Sequence, residues 1–268
     1  EGYITKALTN YDKTKISTAH VFLQYDQATM IHKYSLHYNS DWLYITFINR
    51  TYRIKRKTGS VQWSDNDFEI IHEANHNEAM TIYDVLCYSK DRCHLSHEFI
   101  NINSLSSVRT GNLSPNRGFP EYRLTFLNGK PLNCVMPDIT SGKELEKGDV
   151  AFKLNLFPFL PIIIRFWEAD DEFPASLQIL ADRNTLDYMH YETLMFALTH
   201  LFSRLKEEME LKKGEESRQR LIECAAELFW KNGYSATGIS EILKQTDLPV
   251  RKNMIEMYLE YGHIMASE

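Results

Sequence analysis

Hydrophobic positions in the first half of the chain alternate with polar ones. Residues 42–48, "WLYITFI", are aromatic and β-branched, and "TYRIK" at 51–55 repeats the pattern after a short Asn49-Arg50 turn. "TGSVQW" supplies a glycine turn and another strand start, so the stretch predicts an antiparallel meander. The period then changes. Ala79, Ile82, Tyr83 and Leu86 fall at the i, i+3, i+4, i+7 spacing of one buried helical stripe, which predicts a helix over about 78–89. Residues 103–120 are rich in Ser, Asn, Gly and Pro and predict a long exposed loop. "EYRLTFL" at 121–127 alternates like a strand again before an "NGKP" turn.

Beyond Asp149, "VAFKLNLF" and "PIIIRFW" predict two strands joined by a proline-containing turn, and "SLQILA" a third. A long helix is expected from near Asp187 to Lys213, with Tyr191, Leu194, Met195, Leu198, Leu201 and Phe202 on its buried stripe and Gly214 as its stop. The expected organisation is an α+β domain over 1–213, mainly antiparallel sheet with packed helices. A small all-helical segment over 214–268 follows it.

Composition adds bounds to this picture. The 268 residues are 43% hydrophobic and 25% charged, as in an ordinary folded protein. The net charge of −6 argues against a general polyanion binder but leaves room for a local basic patch. Cys87, Cys93, Cys134 and Cys224 form no C-x-x-C pair and read as reduced thiols, which points away from a disulfide framework or zinc site. "EGYITKALTN" lacks the pattern of a secretory leader. The most apolar run, residues 154–167, is broken by Asn155, Pro158, Pro161 and Arg165 and is too short to span a bilayer. No membrane association and a cytoplasmic location are expected.

The densest candidate chemistry lies in residues 165–192. Glu168, Asp170, Asp171 and Glu172 follow an apolar strand, Asp182 ends the next, and Asp187, His190 and Glu192 open the long helix. Glu168, Asp171, Glu172, Asp182 and His190 are therefore the candidate ligands for a hard or borderline cation or a small molecule, or the source of a general base. A solvated turn, with Asp187 as a helix cap, is the plainer structural account. His190 and Glu192 cannot form a metal pair on one helix, because i and i+2 point apart. His72 and His76 would share a face only if their segment were helical. His94 and His97 flank a loop. The many Tyr and Phe of the first half read as sheet core rather than as a base-stacking platform. No phosphate loop, Gly-x-Ser-x-Gly or His-Glu-x-x-His string is present, and no cofactor is specified.

Two resemblances follow from longer strings. "YITFINRTYRI", "TIYDVLCY", "IIRFWEADDEFPASLQILAD" and "LDYMHYETL" resemble an uncharacterised prokaryotic family known only as a domain of unknown function, over about 12–205. That resemblance implies an α+β domain without an established activity. The family is sometimes associated with iron–sulfur or corrinoid proteins, but this chain has no four-cysteine cluster motif. "LIECAAELFWKNGYSATGISEILKQTDLP" is similar to the first two helices of TetR-type repressors. In it Leu221, Ile222, Ala225, Leu228 and Phe229 form one stripe, Gly233 a left-handed stop, and Thr237 the cap of a second helix bearing Ile239, Ile242 and Leu243.

In such repressors the third helix enters the major groove, and there the likeness ends: Asp247 stands in the turn and Met254 where the pattern has Tyr. Residues 211–268 hold eight basic and nine acidic side chains, so they offer little surplus for neutralising phosphate. The candidate DNA contacts are Thr237, Arg251, Lys252 and Asn253. The sequence thus directs the expectation to a non-catalytic regulatory or binding protein. Its expected partners are a small ligand, duplex DNA, or a second copy docked through the C-terminal helices. A metal-binding protein or enzyme built on 168–182 is the competing expectation.

Overall fold

The computed structural model describes residues 9–105, 143–144, 149–167, 171–173, 176–233 and 236–246. Packing divides the chain into two compact units, Glu1–Lys206 and Glu207–Glu268.

The first unit is α+β. Helix α1 (Asn10–Phe22) begins with a capping box in which Thr9 and Asp12 each satisfy the other's backbone N–H. Helix α2 (Gln27–Tyr34) is capped by Asp26, which accepts from the amides of Ala28 and Thr29, and it closes on left-handed Ser35. Both precede the first strand that the hydrophobic alternation predicts. The strands β1 (His37–Tyr38), β2 (Trp42–Phe47), β3 (Arg50–Lys55), β4 (Val61–Ser64) and β5 (His72–Glu73) form an antiparallel meander in chain order.

The β2–β3 turn is Ile48-Asn49, one residue earlier than expected, with both residues at positive φ (47° and 54°). A β-branched residue resists that conformation. Two partners hold Ile48 there: its N–H donates to Leu156 O at 2.8 Å, and its carbonyl accepts from Arg204.

Helix α3 (His76–Tyr88) carries the predicted stripe, and Ala79, Ile82, Tyr83 and Leu86 are all buried. The second sheet has the order β6-β10-β9-β8-β7 and is also antiparallel. Its strands are β6 (Phe99–Asn101), β7 (Lys143–Glu144), β8 (Val150–Phe157), β9 (Leu160–Trp167) and β10 (Ser176–Asp182). β9 is buried almost throughout, as its apolar run requires. Stacking of Phe47 on Phe157, with centroids 4.9 Å apart, joins the two sheets beside the Ile48–Leu156 bond. The strand expected over 121–127 lies outside the described residues.

A short turn of helix, α4 (Thr185–Tyr188), separates β10 from α5 (Tyr191–Asn232). The long helix therefore starts later than Asp187 and continues through Gly214 rather than stopping there. The reason is local: Gly214 has helical neighbours on both sides and no left-handed φ, whereas Gly233 has φ +81° and ends the helix. Within the second unit Leu221, Leu228 and Phe229 of α5 pack with Ile242 of α6 (Ile239–Thr246). None of the helices among the described residues is long and apolar enough to cross a membrane.

Two glycines give opposite expectations. Gly59 has φ +77°, and a Cβ there would lie 2.7 Å from the Ala19 carbonyl oxygen, so Gly59→Ala should cost about 1–3 kcal/mol. Gly214 has open space around its Cα, and Gly214→Ala should stabilise α5 by up to about 1 kcal/mol. Denaturant unfolding of both variants measures this. A destabilised Gly214→Ala protein would contradict a continuous helix.

Candidate ligand cleft

The structure places the described members of the sequence-predicted acidic site on different elements of the first unit. Asp182 is fully buried, and its carboxylate accepts from Ser96 N and Oγ (both 2.9 Å), His97 N (2.7 Å) and Asn184 N (2.9 Å). Burial pushes its carboxyl up, but the bonds from Ser96, Asn184 and His97 outweigh that and leave it below the ordinary value. Asp182 thereby clamps the loop before β6, in which His97 is held at φ 60°. Its lone pairs are committed to three backbone N–H groups and the Ser96 hydroxyl. Asp171 and Glu172 lie on an exposed bend, and Glu168 lies outside the described residues. Among the described residues no three His, Cys, Asp or Glu side chains are grouped to hold a metal.

His190 stands at the start of α5, where Leu194 N–H donates to its carbonyl at 3.0 Å. Asp84 of α3 supplies the cap that the sequence assigned to Asp187: its Oδ2 accepts from His190 N at 2.7 Å, and its Oδ1 lies 2.6 Å from His190 Nδ1. Asp187 instead binds Lys90 Nζ at 2.6 Å. The paired histidines are separated as well. His72 is on β5, stacked on Trp63 at 4.2 Å, while His76 opens α3 with Tyr11 at its ring edge. Thr237, in the second unit, is buried with its hydroxyl donating to Leu228 O (3.3 Å) and Gly233 O (3.1 Å). Arg251, Lys252 and Asn253 lie outside the described residues.

What the fold does assemble is a cleft of about 970 Å³ between α2, the C-terminal end of α3 and the loop that follows it. One wall is aromatic. Phe159, at the β8–β9 turn, stacks on Tyr34 at 4.3 Å and on Tyr188 at 5.8 Å. The rim is polar, with Asp26, His32, Asp91 and Arg92, and Tyr25 leans edge-on against Tyr88 at 5.7 Å.

Beneath the rim lies a dense set of hydrogen bonds. Lys33 Nζ donates to Ser89 O (3.3 Å), Ser89 Oγ (2.7 Å) and the Lys90 carbonyl. An ammonium there satisfies carbonyls at the end of α3 and complements its negative pole. Ser89 Oγ also accepts from Tyr34 OH at 2.6 Å and donates to Val85 O at 2.6 Å. The Cys93 thiol lies 3.0 Å from Lys90 O and 3.2 Å from Asp187 O. Burial raises its pKa against the pull of Lys33, so it stays a protonated donor rather than a nucleophilic thiolate. Cys87, also on this wall, is pushed up to about 12 by burial and then by Asp84.

A second group missed in the sequence is buried at the N-terminal end of α3. Glu78 Oε1 accepts from Tyr52 OH at 2.8 Å and lies 3.3 Å from His200 Nε2, with Arg50 NH1 at 4.0 Å. Glu78 Oε2 accepts from Asn75 N at 2.6 Å, completing the capping box of α3. Burial raises the Glu78 carboxyl. Burial, then the cations Arg204 and Arg50, pushes His200 down to about 3. The only sequence signal for this group was the Asn75-x-x-Glu78 cap spacing.

Residues 26–204 match the model of a family described as a domain of unknown function (DUF3786), and the chain belongs to that family. No curated protein and no solved structure matches the chain. Apart from Tyr25, every residue lining the cleft lies within the matched span.

The buried His200 sets a pH dependence. The unfolded chain protonates it near 6.5 and the folded chain only near 3, so its contribution is complete above pH 6.5 and is lost as pH falls through that window. Glu78 works oppositely, since its raised folded pKa favours the folded state toward acid and that gain is lost as pH rises. His200→Phe should therefore lose less stability than the native chain between pH 6.5 and 4, read from denaturant midpoints. Parallel curves for the two proteins would refute the assignment.

Proposed function

We propose that the protein is a non-catalytic binding protein, in which the family domain senses a small ligand in the α2–α3 cleft. The single observation that carries this is the state of the cleft's reactive side chains. Cys93 is a protonated donor to carbonyls, Ser89 Oγ accepts from Lys33 and Tyr34 while donating to Val85, and Lys33 is spent on the end of α3. Groups so committed rigidify a pocket and favour recognition over group transfer. The aromatic wall of Tyr34, Phe159 and Tyr188, beside the rim cation Arg92, suits a flat, partly apolar ligand bearing an anionic group. On this reading residues 214–268 relay occupancy of the cleft to duplex DNA, through Arg251, Lys252 and Asn253, or to a second copy of the chain. The likeness of 217–248 to repressor helices supports that role.

The ligand half is tested with 8-anilinonaphthalene-1-sulfonate, an aromatic anion, as the probe. The native chain should bind one equivalent saturably. Tyr25→Ala and Arg92→Glu, both at exposed positions, should each weaken it roughly fivefold. Multiple weak sites, or affinity unmoved by both variants, would sink the assignment. The DNA half is tested by anisotropy of a labelled random duplex over a salt series. Binding should weaken with salt and be lost in Arg251→Glu/Lys252→Glu. No retention at low salt would remove DNA and leave self-association, read from sedimentation.

A further inference from the structure

The basic residues of this acidic chain are not spread evenly. Residues 37–57 contain Arg50, Arg53, Lys55, Arg56 and Lys57 against the single acid Asp41, in a chain of net charge −6. The same segment forms β1 to β3 and opens the β3–β4 turn. Strand register sorts its side chains. Leu43, Ile45, Phe47, Tyr52 and Ile54 are buried on the inner face. Trp42 is opposite Lys55, Tyr44 opposite Arg53, and Thr46 opposite Thr51, so all six share the outward face. Here the aromatics are not core: Trp42 and Tyr44 are only half-buried.

These groups form one stack. The Arg53 guanidinium lies 4.1 Å from the centre of the Trp42 ring and 4.3 Å from that of Phe68, and Lys55 Nζ lies 4.6 Å from the Trp42 centre. Tyr44 meets Phe68 edge-on at 6.0 Å. Phe68 reaches this face from a turn in which Asp67 and Phe68 both have positive φ (53° and 65°), pinned by Ser64 Oγ accepting from Phe68 N at 3.0 Å. Two consecutive non-glycine residues in that region cost energy, and such strain concentrates where a side chain must be presented. Arg53 is oriented further by Gln62 Oε1, which accepts from its Nε (3.1 Å) and NH2 (2.9 Å). Asp41 pairs with Lys55 at 3.2 Å and Asp65 binds Arg50 at 2.9 Å, and within 37–57 the cations still outnumber the one acid.

We propose that the outward face of the β1–β5 sheet binds single-stranded nucleic acid, with bases on Trp42, Tyr44 and Phe68 and phosphates on Arg53, Lys55 and Lys57. An acidic peptide would answer the charge but offers no rings for the aromatic row. A duplex hides its base faces, and a broad sheet surface does not enter its major groove as a single helix does. A strand with unpaired bases matches both features at once, because stacking is tolerant of sequence and the backbone supplies regular negative charge. None of Trp42, Tyr44, Arg53, Lys55, Lys57 and Phe68 lines the α2–α3 cleft.

The experiment is fluorescence anisotropy of a labelled 20-nucleotide oligo-dT with the full chain, over a salt series starting at about 50 mM. The expected result is saturable binding whose logarithm falls against log salt with a slope near −2, as for about three neutralised phosphates. Trp42→Ala should weaken it roughly tenfold or more. Lys55→Glu/Lys57→Glu should abolish it at the same salt, with an unchanged circular dichroism spectrum. Trp42→Phe, which keeps a ring and the fold, should retain most of the affinity. Arg251→Glu/Lys252→Glu should leave it unaltered, separating this surface from any duplex binding by the C-terminal residues. Absence of binding at the lowest salt would overturn the proposal. So would affinity indifferent to the Trp42 and Lys55/Lys57 variants, or polyglutamate binding as tightly as oligo-dT.

Discussion

A carboxylate withdrawn from water must be given partners, and in the first unit Glu78, like Asp182, meets that demand. The two oxygens of Glu78 serve different ends of the architecture. One closes the capping box of α3 through Asn75, and the other takes the Tyr52 hydroxyl from β3 beside the His200 ring from α5. Meander, helix and long helix are thus tied through one 2% exposed side chain. A partnerless charge at such a place would cost several kcal/mol, so truncating any one member leaves the others costly to bury. The neutral state of His200 belongs to the same balance, because burial, and then the positive charges of Arg204 and Arg50, disfavour a proton there.

The same logic explains how the cleft is built. Helix ends expose carbonyls and amides that need partners, and side chains from distant elements meet that need here. Lys33 serves the end of α3, and Asp84 serves the start of α5. These bonds hold α2, α3 and the loop after it around an opening, and Phe159 from the β8–β9 turn supplies the stacked wall. The side chains with the most chemical potential are used as fasteners. That leaves shape, aromatic surface and rim charge as what the cleft offers a ligand.

Several expectations from local pattern were met for local reasons. The meander, the stripe of α3, the strands after Asp149 and the left-handed Gly233 all depend on side-chain period or on one residue's φ preference. Other expectations failed, some for local reasons and some because a competing partner was distant. Gly214 was expected to end the helix, but flanking residues with good helix propensity carry α5 through it. Helices α1 and α2 lack a clear apolar stripe and are set by their caps, Thr9 with Asp12 and Asp26. Asp187 had the right spacing for a cap, yet Lys90 takes its carboxylate and Asp84 takes the role.

The candidate site divides in the same way. Residue types and their order showed that 165–192 is dense in carboxylates, but not that Asp182 would be consumed by Ser96, His97 and Asn184. The Asp84–His190 pair spans 106 residues and the Tyr52–His200 pair 148, separations at which no periodicity carries information. The sequence by itself determined the α+β class, the alternation that makes one sheet face apolar, and the concentration of cations in 37–57, because these are properties of neighbours along the chain. Only the tertiary structure decided which polar groups became fasteners, where the cleft opened, and which aromatics remained on the outward face. Those outcomes depend on which distant partner reaches a buried donor or acceptor, and water must be excluded from each before the choice has energetic consequence.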